Sequence, residues 1–194
     1  MKKLVFLHGS GADKNRYADF MTDVAKYYGA ELVCFNAPFQ HYSRPDKYQW
    51  FGKFENDGRR DAVIDDYMYS LQYIKNKIHE LNCDTKDIAL FGHSQGGGMA
   101  VHLGQEMEFA GVVAICADLP YNISYTLSSQ TPIYWFEAAN DTLLDKNRKD
   151  SYKLLPQNKN FHYAILPNCG HKDFENDFMD VIRKNKKLFA KQTL

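Results

Sequence analysis

A single serine lies in the middle of the glycine-rich stretch LFGHSQGGGMA, residues 90–100. The pentapeptide from Gly92 to Gly96 matches G-x-S-x-G, the pattern of a strained strand-to-helix turn that presents a nucleophilic serine. Small residues two positions either side of Ser94 would keep the strand and the helix from colliding. The first amides of such a helix stabilise negative charge that develops beside the hydroxyl. The alternatives are a purely structural glycine-rich turn and a phosphate-binding loop, but the G-x-G-x-x-G or terminal Lys-Ser/Thr pattern of a phosphate-binding loop is missing from this stretch.

A serine hydroxyl is a weak nucleophile without a base, and the rest of the chain offers suitable partners. Asp141 and His171 each follow a predicted strand. The chain order serine, acid, histidine is the one found in proteins with this kind of turn. We predict that His171 accepts the proton of Ser94 and that Asp141 orients the imidazole. Asp145 is the alternative acid, but its position indicates that it lies in or caps the next helix.

Other histidines are poorer candidates for the base. His79 and His102 lie in predicted helices, and His162 lies in a predicted strand. His93 lies beside the serine with its ring directed away from the hydroxyl, and His8 precedes the first glycine-rich loop.

Attack on a carbonyl also needs donors for the oxyanion. One is expected from the backbone N–H of Gln95, the residue after the serine, and the other from a loop after an early strand. The stretch FLHGSGAD, residues 6–13, supplies that loop, and its Gly-flanked Ser10 can direct an amide at the site. A plain turn would also explain Gly9 and Gly11, but the loop stands at the right place in the chain order.

Short apolar runs alternate with helical patterns along the whole chain, which predicts an α/β fold with a mostly parallel sheet covered by helices on both faces. The predicted strands are residues 3–7, 31–35, 87–91, 111–116, 132–136 and 161–166. The predicted helices are residues 14–28, 59–81, 95–107, 144–155 and 173–188. Residues 38–58 form an unusually long connection, rich in aromatic residues, and connections longer than about 12–15 residues are usually functional or disordered.

Composition limits the function classes further. The chain has 194 residues, which favours one domain, 1–194, and its 24 basic and 24 acidic residues suggest neither a nucleic-acid nor a membrane-surface partner. No segment approaches the roughly 18 apolar residues of a membrane span, and the start lacks a secretory apolar region. The four scattered cysteines indicate reduced thiols in a cytoplasmic protein and no zinc site.

These motifs make the chain resemble the phospholipase/carboxylesterase family of α/β hydrolases, which includes acyl-protein thioesterases and small bacterial carboxylesterases. The matching stretches are LHGSGADKN (7–15), YQWF (48–51), GHSQGGGMA (92–100), AGVVAICADLP (110–120), the Asp141 loop and GHKDFEND (170–177). The resemblance implies an α/β-hydrolase fold without a cap domain and an open groove lined by the aromatic residues of 38–58. It implies a catalytic triad of Ser94, Asp141 and His171, an oxyanion hole at Ser10 and Gln95, and substrate contacts from Trp50 and Phe51.

The chain departs from the family pattern at three places. His93 stands where the family often has an aromatic residue such as phenylalanine, Glu137-Ala138 replaces a His-Gly pair, and Leu144-Asp145 replaces a Val-Pro pair. None of these changes removes a catalytic atom, so they bear on the substrate more than on the chemistry.

The sequence therefore predicts a serine hydrolase that cleaves carboxylic esters or thioesters of small or acyl-chain substrates through an acyl-enzyme, with no cofactor or metal. Two alternatives remain: a catalytically silent binding protein, or a peptidase or amidase that uses the same triad. Trp50 and Phe51 could also be core residues that anchor their loop. The sequence does not indicate an oligomeric state.

Overall fold

The computed structural model describes residues 1–56 and 59–184. The strands are β1 Lys3–Leu7, β2 Glu31–Cys34, β3 Phe39–His41, β4 Arg44–Gln49, β5 Lys53–Asn56, β6 Arg59–Ala62, β7 Ile88–His93, β8 Gly111–Ile115, β9 Ile133–Ala138 and β10 Phe161–Leu166. The helices are α1 Ala18–Tyr28, α2 Ile64–His79, α3 Gln95–Glu106, α4 Lys146–Lys149 and α5 Glu175–Lys184, with 3-10 turns at Thr85–Asp87 and Asp150–Leu154. Within the described ranges, no helix is long and apolar enough to cross a membrane.

Six strands form one sheet in the order β10-β9-β8-β7-β1-β2, and every neighbouring pair is parallel. All six predicted strands are confirmed. Because the strands run the same way, their carboxyl ends meet at one edge of the sheet, where the loops after β1, β7, β9 and β10 converge.

Helices cover both faces of this sheet, as predicted. Along β1, Val5 and Leu7 pack on the face covered by α2 and α3, whereas Leu4 and Phe6 pack on the face covered by α1 and α5. This alternation follows from the two-residue period of a strand, and it buries β1 on both sides.

The segment after β2 was predicted to be an irregular connection, and the structure differs. It folds into two antiparallel hairpins, β3–β4 and β5–β6. The helix predicted over residues 59–81 was consequently wrong at its start, because residues 59–62 pair with β5 and α2 begins only at Ile64. The two paired strands, KFEN and RRDA, are mostly polar, so they carry no alternating apolar signal.

Three other helix predictions are shorter in the structure. An Asx turn, with the amide of Asn15 bonded to the carboxylate of Asp13, delays α1 until Ala18. Residues 144–155 form only α4 and a 3-10 turn, in which the buried Ser151 hydroxyl accepts a hydrogen bond from the amide of Leu119. The final helix begins at Glu175, and predicted residues 185–188 lie outside the described residues.

Candidate active site

Ser94 occupies a sharp turn between β7 and α3. Its φ of 52° and ψ of −122° are unusual for a residue with a side chain. The turn is fixed by backbone hydrogen bonds: the Ser94 amide donates to the Ile115 carbonyl at 2.9 Å, and the amides of Gly97 and Gly98 donate to the Ser94 carbonyl at 2.9 and 3.2 Å. The strained residue is therefore held from both the neighbouring strand and the helix.

The glycines around Ser94 are required by close backbone approach. A Cβ atom on Gly92 would lie 2.4 Å from the Gly96 carbonyl oxygen, which confirms that strand and helix would collide there. A Cβ on Gly96 would lie 2.2 Å from the Leu7 carbonyl oxygen, so this second glycine makes room for the end of β1. The turn thus brings the start of α3 against the loop that follows β1.

Asp141 and His171 are hydrogen-bonded partners. The Nδ1 atom of His171 lies 2.6 Å from Oδ2 of the buried Asp141. The other oxygen, Oδ1, accepts the amides of Leu143 at 2.8 Å and Leu144 at 3.1 Å. Burial acts to raise the pKa of Asp141, but the bonds from His171 and the two amides outweigh it and lower that pKa. The carboxylate stays ionised, and it selects the His171 tautomer with the proton on Nδ1.

The alternative acid has a different position. Asp145 is the N-cap of α4, where its Oδ1 accepts the amide of Arg148 at 3.0 Å. This is the capping role that its position in the sequence indicated.

Two side chains hold the backbone around His171. The Nε2 atom of His93 lies 2.7 Å from the His171 carbonyl oxygen, and the Tyr17 hydroxyl donates to the Lys172 carbonyl at 3.1 Å. Burial, with repulsion from His171, lowers the pKa of His93 to about 3, so its ring is neutral. Because a carbonyl only accepts, the His93 proton is on Nε2. Sequence reasoning missed both contacts, and only the departure from the family's aromatic residue at position 93 pointed to the first.

Ser94, His171 and Ser10 line one cavity of about 680 Å³ at the carboxyl edge of the sheet. Asp141 lies behind His171. Gln95 begins α3, where the first amides of a helix have no partner within the helix. The Ser10 hydroxyl oxygen is buried, and it has no hydrogen-bond partner among the described residues. The structure thus brings the five residues predicted for the triad and the oxyanion hole to one region.

The side chain of Gln95 connects α3 to the end of β4. Its Oε1 accepts the Trp50 amide at 2.8 Å, and its Nε2 donates to the Phe51 carbonyl at 2.9 Å. The Trp50 indole Nε1 donates to the His8 carbonyl at 2.7 Å, in the loop after β1. The YQWF and SQGG stretches are therefore in contact, and together they position the loop that carries Ser10.

The prediction that Trp50 and Phe51 contact substrate needs correction. Their side chains are 0% and 2% exposed, and neither lines the cavity, so both are core residues that anchor the loop. The predicted aromatic groove is likewise replaced by a polar wall, to which Tyr42 is the one aromatic contributor from residues 38–56 besides His41. Aromatic side chains are driven into the core wherever the hairpins give them access to it.

Among the described residues, one group has the spacing of metal ligands, because donor atoms of Cys116, Asp141 and His171 lie within 4.8 Å of one another. Burial, together with the nearby Asp141, raises the pKa of the Cys116 thiol, so this thiol is protonated in the metal-free protein. Both oxygens of Asp141 already accept hydrogen bonds. The arrangement fits an acid–histidine pair better than a metal centre.

A serine on a glycine-flanked turn, at the carboxyl edge of a parallel sheet with helices on both faces, defines the class of α/β hydrolases. The chain belongs to the phospholipase/carboxylesterase family, whose sequence model matches residues 1–188. The predicted fold class and family are thus confirmed. No curated protein sequence is significantly similar to this chain.

Solved structures support the fold. The Bacillus cereus carboxylesterase has a TM-score of 0.74 at 16% identity, with 97% of this chain and 89% of that chain covered. Zea mays acyl-protein thioesterase 2 has a TM-score of 0.75 at 14% identity, with 97% and 94% covered. Esterase PE8 has a TM-score of 0.70 at 18% identity, with 94% and 92% covered. At these identities the likeness concerns the fold alone.

Proposed function

We propose that the protein is a serine hydrolase that cleaves carboxylic esters or thioesters with Ser94 as the nucleophile. The family assignment supports ester hydrolysis in general. The observation that carries the specific proposal is the 2.6 Å hydrogen bond between His171 and the buried Asp141, beside a cavity that Ser94 also lines. A buried carboxylate that fixes the tautomer of a neighbouring imidazole is the arrangement that activates a serine hydroxyl.

The two ring nitrogens of His171 have separate roles in this proposal. Nδ1 keeps its proton and donates a hydrogen bond to Asp141, so the unprotonated Nε2 is available as the general base. His171 takes the proton of the Ser94 hydroxyl as the Ser94 oxygen attacks the substrate carbonyl carbon. Asp141 then stabilises the imidazolium that results, without itself accepting the proton.

The oxyanion of the tetrahedral intermediate is assigned to the backbone N–H groups of Gln95 and Ser10. The first lies at the amino end of α3, where the helix dipole favours negative charge. The second lies in the loop after β1, which Trp50 holds through the His8 carbonyl. Each such donor contributes about 3 kcal/mol to transition-state stabilisation in serine hydrolases.

The reaction then proceeds in two balanced halves. In the first, the bond to the alcohol or thiol breaks, His171 gives its proton to that leaving group, and the acyl group stays on Ser94. In the second, His171 takes a proton from water, the hydroxide attacks the acyl-enzyme, and the carboxylic acid leaves as the proton returns to Ser94. Neither half requires a cofactor.

The cytoplasm is the proposed location of this activity. All four cysteines are unpaired in the structure. Free thiols are typical of proteins kept in a reducing compartment.

The test is a series of 4-nitrophenyl esters and acyl thioesters from acetyl to palmitoyl, with wild type and Ser94→Ala compared at equal concentration. We expect turnover by the wild type and a loss of roughly four orders of magnitude or more in the variant, with an unchanged melting temperature. Equal turnover by both proteins would contradict the proposal.

Two further measurements separate the alternatives. A fluorophosphonate should label wild type at Ser94, because the activated oxygen displaces fluoride from phosphorus; folded protein that is not labelled would favour a silent binding protein. Matched 4-nitroanilides should be cleaved far more slowly than the esters, and a faster cleavage of the anilides would indicate an amidase.

A further inference from the structure

The cavity beside Ser94 has a wall with many more cationic than anionic side chains, although the chain has a formal net charge of zero. Within residues 1–56 and 59–184, Asp13 is the one carboxylate on this wall, and Lys47 neutralises it at 2.6 Å. Six further cationic side chains line the cavity: Arg16, Arg44, Lys53, Arg60, Arg148 and Lys172. This excess positive charge favours an anionic ligand.

Three of the six cationic residues are partly buried and form a cluster. Lys53 and Arg60 stand on the same face of the β5–β6 hairpin, because Lys53 pairs with Ala62 and Glu55 pairs with Arg60. Arg148 belongs to α4, in the segment that follows Asp141. These residues bring the hairpin and the acid loop together at one side of the cavity.

The cluster has too few carboxylates for its charge. Arg60 and Arg148 share the buried Asp118, at 2.8 and 3.2 Å from its Oδ2. Arg60 also approaches Glu55 at 3.5 Å, but that carboxylate is exposed, so the pair is weak. No carboxylate among the described residues pairs with Lys53. Asp118 can therefore compensate only one of the three positive charges fully.

Two nitrogen donors of the cluster are left over. Nε of Arg60 is buried and has no hydrogen-bond partner within the described part of the chain. The pKa of Lys53 is lowered to about 8, mainly by burial, and repulsion from Arg60 and Arg148 outweighs attraction by Asp118 and Glu55. A structural link between loops would need only the two arginines and Asp118. Lys53 and the unused Nε of Arg60 are therefore unexplained by a structural role.

We propose that the ester or thioester substrate carries a carboxylate or phosphate group, and that Lys53, Arg60 and Arg148 bind this group while Ser94 attacks the carbonyl. This inference rests on the proposed function and names its substrate class. Carboxylate and phosphate share the chemistry that the cluster recognises, namely anionic oxygens that accept charge-assisted hydrogen bonds. Long neutral acyl chains are poor ligands for the same wall.

The test compares substrates that differ mainly in charge. On the acyl side, the mono-4-nitrophenyl ester of adipate is compared with 4-nitrophenyl hexanoate. On the alcohol side, 4-acetoxyphenylacetate and 4-acetoxybenzylphosphonate are compared with 4-acetoxyphenylacetamide. The ratio of kcat/KM between the anionic and the neutral ester is the measured quantity, and the three anionic probes distinguish the acyl side from the alcohol side and carboxylate from phosphate.

We expect wild type to prefer at least one anionic ester roughly tenfold, the effect of one hydrogen bond to a charged group. Lys53→Met should remove most of that preference, and Lys53→Arg should restore part of it. Lys86→Met is the matched control, because it removes the same charge next to the start of β7, at the opposite edge of the sheet from Ser94. Its ratio should equal that of the wild type. Added salt should raise KM for the anionic ester only.

A wild type that hydrolyses neutral and anionic esters equally would overturn the inference and leave the proposed function intact. An equal loss of preference in Lys53→Met and Lys86→Met would also overturn it, because the effect would then reflect net charge alone. If no ester is hydrolysed, the proposed function fails, and calorimetric titration of adipate and inorganic phosphate into wild type and Lys53→Met decides whether the anion site exists.

Discussion

His93 donates a hydrogen bond from Nε2 to the backbone carbonyl of His171, at 2.7 Å. The residue before the serine therefore supports the loop that carries the proposed base. Its ring also stacks on Phe174, with ring centres 5.2 Å apart and an angle of 27° between the planes. His93 thus connects the turn that carries Ser94 to the loop that carries His171 through one neutral imidazole.

His93 should make the stability of the protein depend on pH. Its pKa falls from the usual 6.5 to about 3 on folding, mainly through burial. Between these two pH values the unfolded chain binds a proton at position 93 and the folded chain does not. The stability that is present above pH 6.5 is therefore lost as the pH falls toward 3. His93→Phe keeps a ring against Phe174. Between pH 8 and pH 5, we expect the free energy of unfolding of this variant to fall by about 2 kcal/mol less than that of the wild type.

The measurement is urea unfolding of both proteins at several pH values. His8 and His102 also have pKa values lowered mainly by burial, but they are present in both proteins and their effect cancels in the comparison. Parallel stability curves for wild type and His93→Phe would show that His93 takes up its proton normally in the folded state.

The assignment of the acid predicts a large kinetic difference between two neighbouring aspartates. Asp141→Asn should lower kcat by about 10⁴, because the amide no longer selects the His171 tautomer with the proton on Nδ1. Asp145→Asn should leave kcat close to wild type, since asparagine is also a good N-cap for α4. Steady-state kinetics on one activated ester checks both, and a loss confined to Asp145→Asn would mean that the acid is Asp145.

Gly96→Ala should prevent correct folding. The added methyl would lie 2.2 Å from the Leu7 carbonyl oxygen, and backbone atoms of β1 and α3 cannot both move away. Gly29→Ala is the control, because nothing lies within 4 Å of its Cβ position and only the positive φ of 63° opposes it. We expect this control to cost about 1 kcal/mol. Soluble yield and thermal unfolding test the pair, and a folded Gly96→Ala of normal stability would contradict the close approach.

Trp50→Phe should damage both stability and catalysis without altering acyl-chain preference. It removes the indole donor and leaves the His8 carbonyl buried and unsatisfied, at a cost of about 1–3 kcal/mol. The loop that carries Ser10 then loses its support, so kcat should fall more than KM rises. Phe51→Leu is the control, because its backbone carbonyl still accepts the Gln95 amide. A changed chain-length optimum in Trp50→Phe would indicate that Trp50 contacts the substrate after all.

The order of elements was enough to nominate Ser94, Asp141 and His171 from the sequence. Each follows a short apolar run, and parallel strands bring their following loops to one edge whatever the details of the helices. The glycine pattern carried the same information about the turn, since only a glycine at position 96 tolerates the carbonyl of Leu7.

The surroundings of the site were harder to predict, because they depend on pairing between distant residues. Nothing in the local pattern of residues 38–62 indicates that Lys53 pairs with Ala62 or that Trp50 turns inward to His8. The family resemblance implied a groove lined by aromatic residues there, whereas the hairpins bury Trp50 and turn Lys53 toward the cavity. Hydrophobic content predicts burial in general but not which side of a loop faces the substrate.

The preference for an anionic ester should itself depend on pH. Burial lowers the pKa of Lys53 to about 8, with Arg60 and Arg148 lowering it and Asp118 and Glu55 raising it. Lys53 is therefore charged below pH 8 and neutral above it, while the arginines keep their charge throughout. We expect the kcat/KM ratio of the adipate monoester to 4-nitrophenyl hexanoate to be constant at lower pH and to fall as the pH rises through 8. Lys53→Arg should keep its ratio constant over that range, because a guanidinium does not titrate there, and the same fall in this variant would assign the pH dependence to another group.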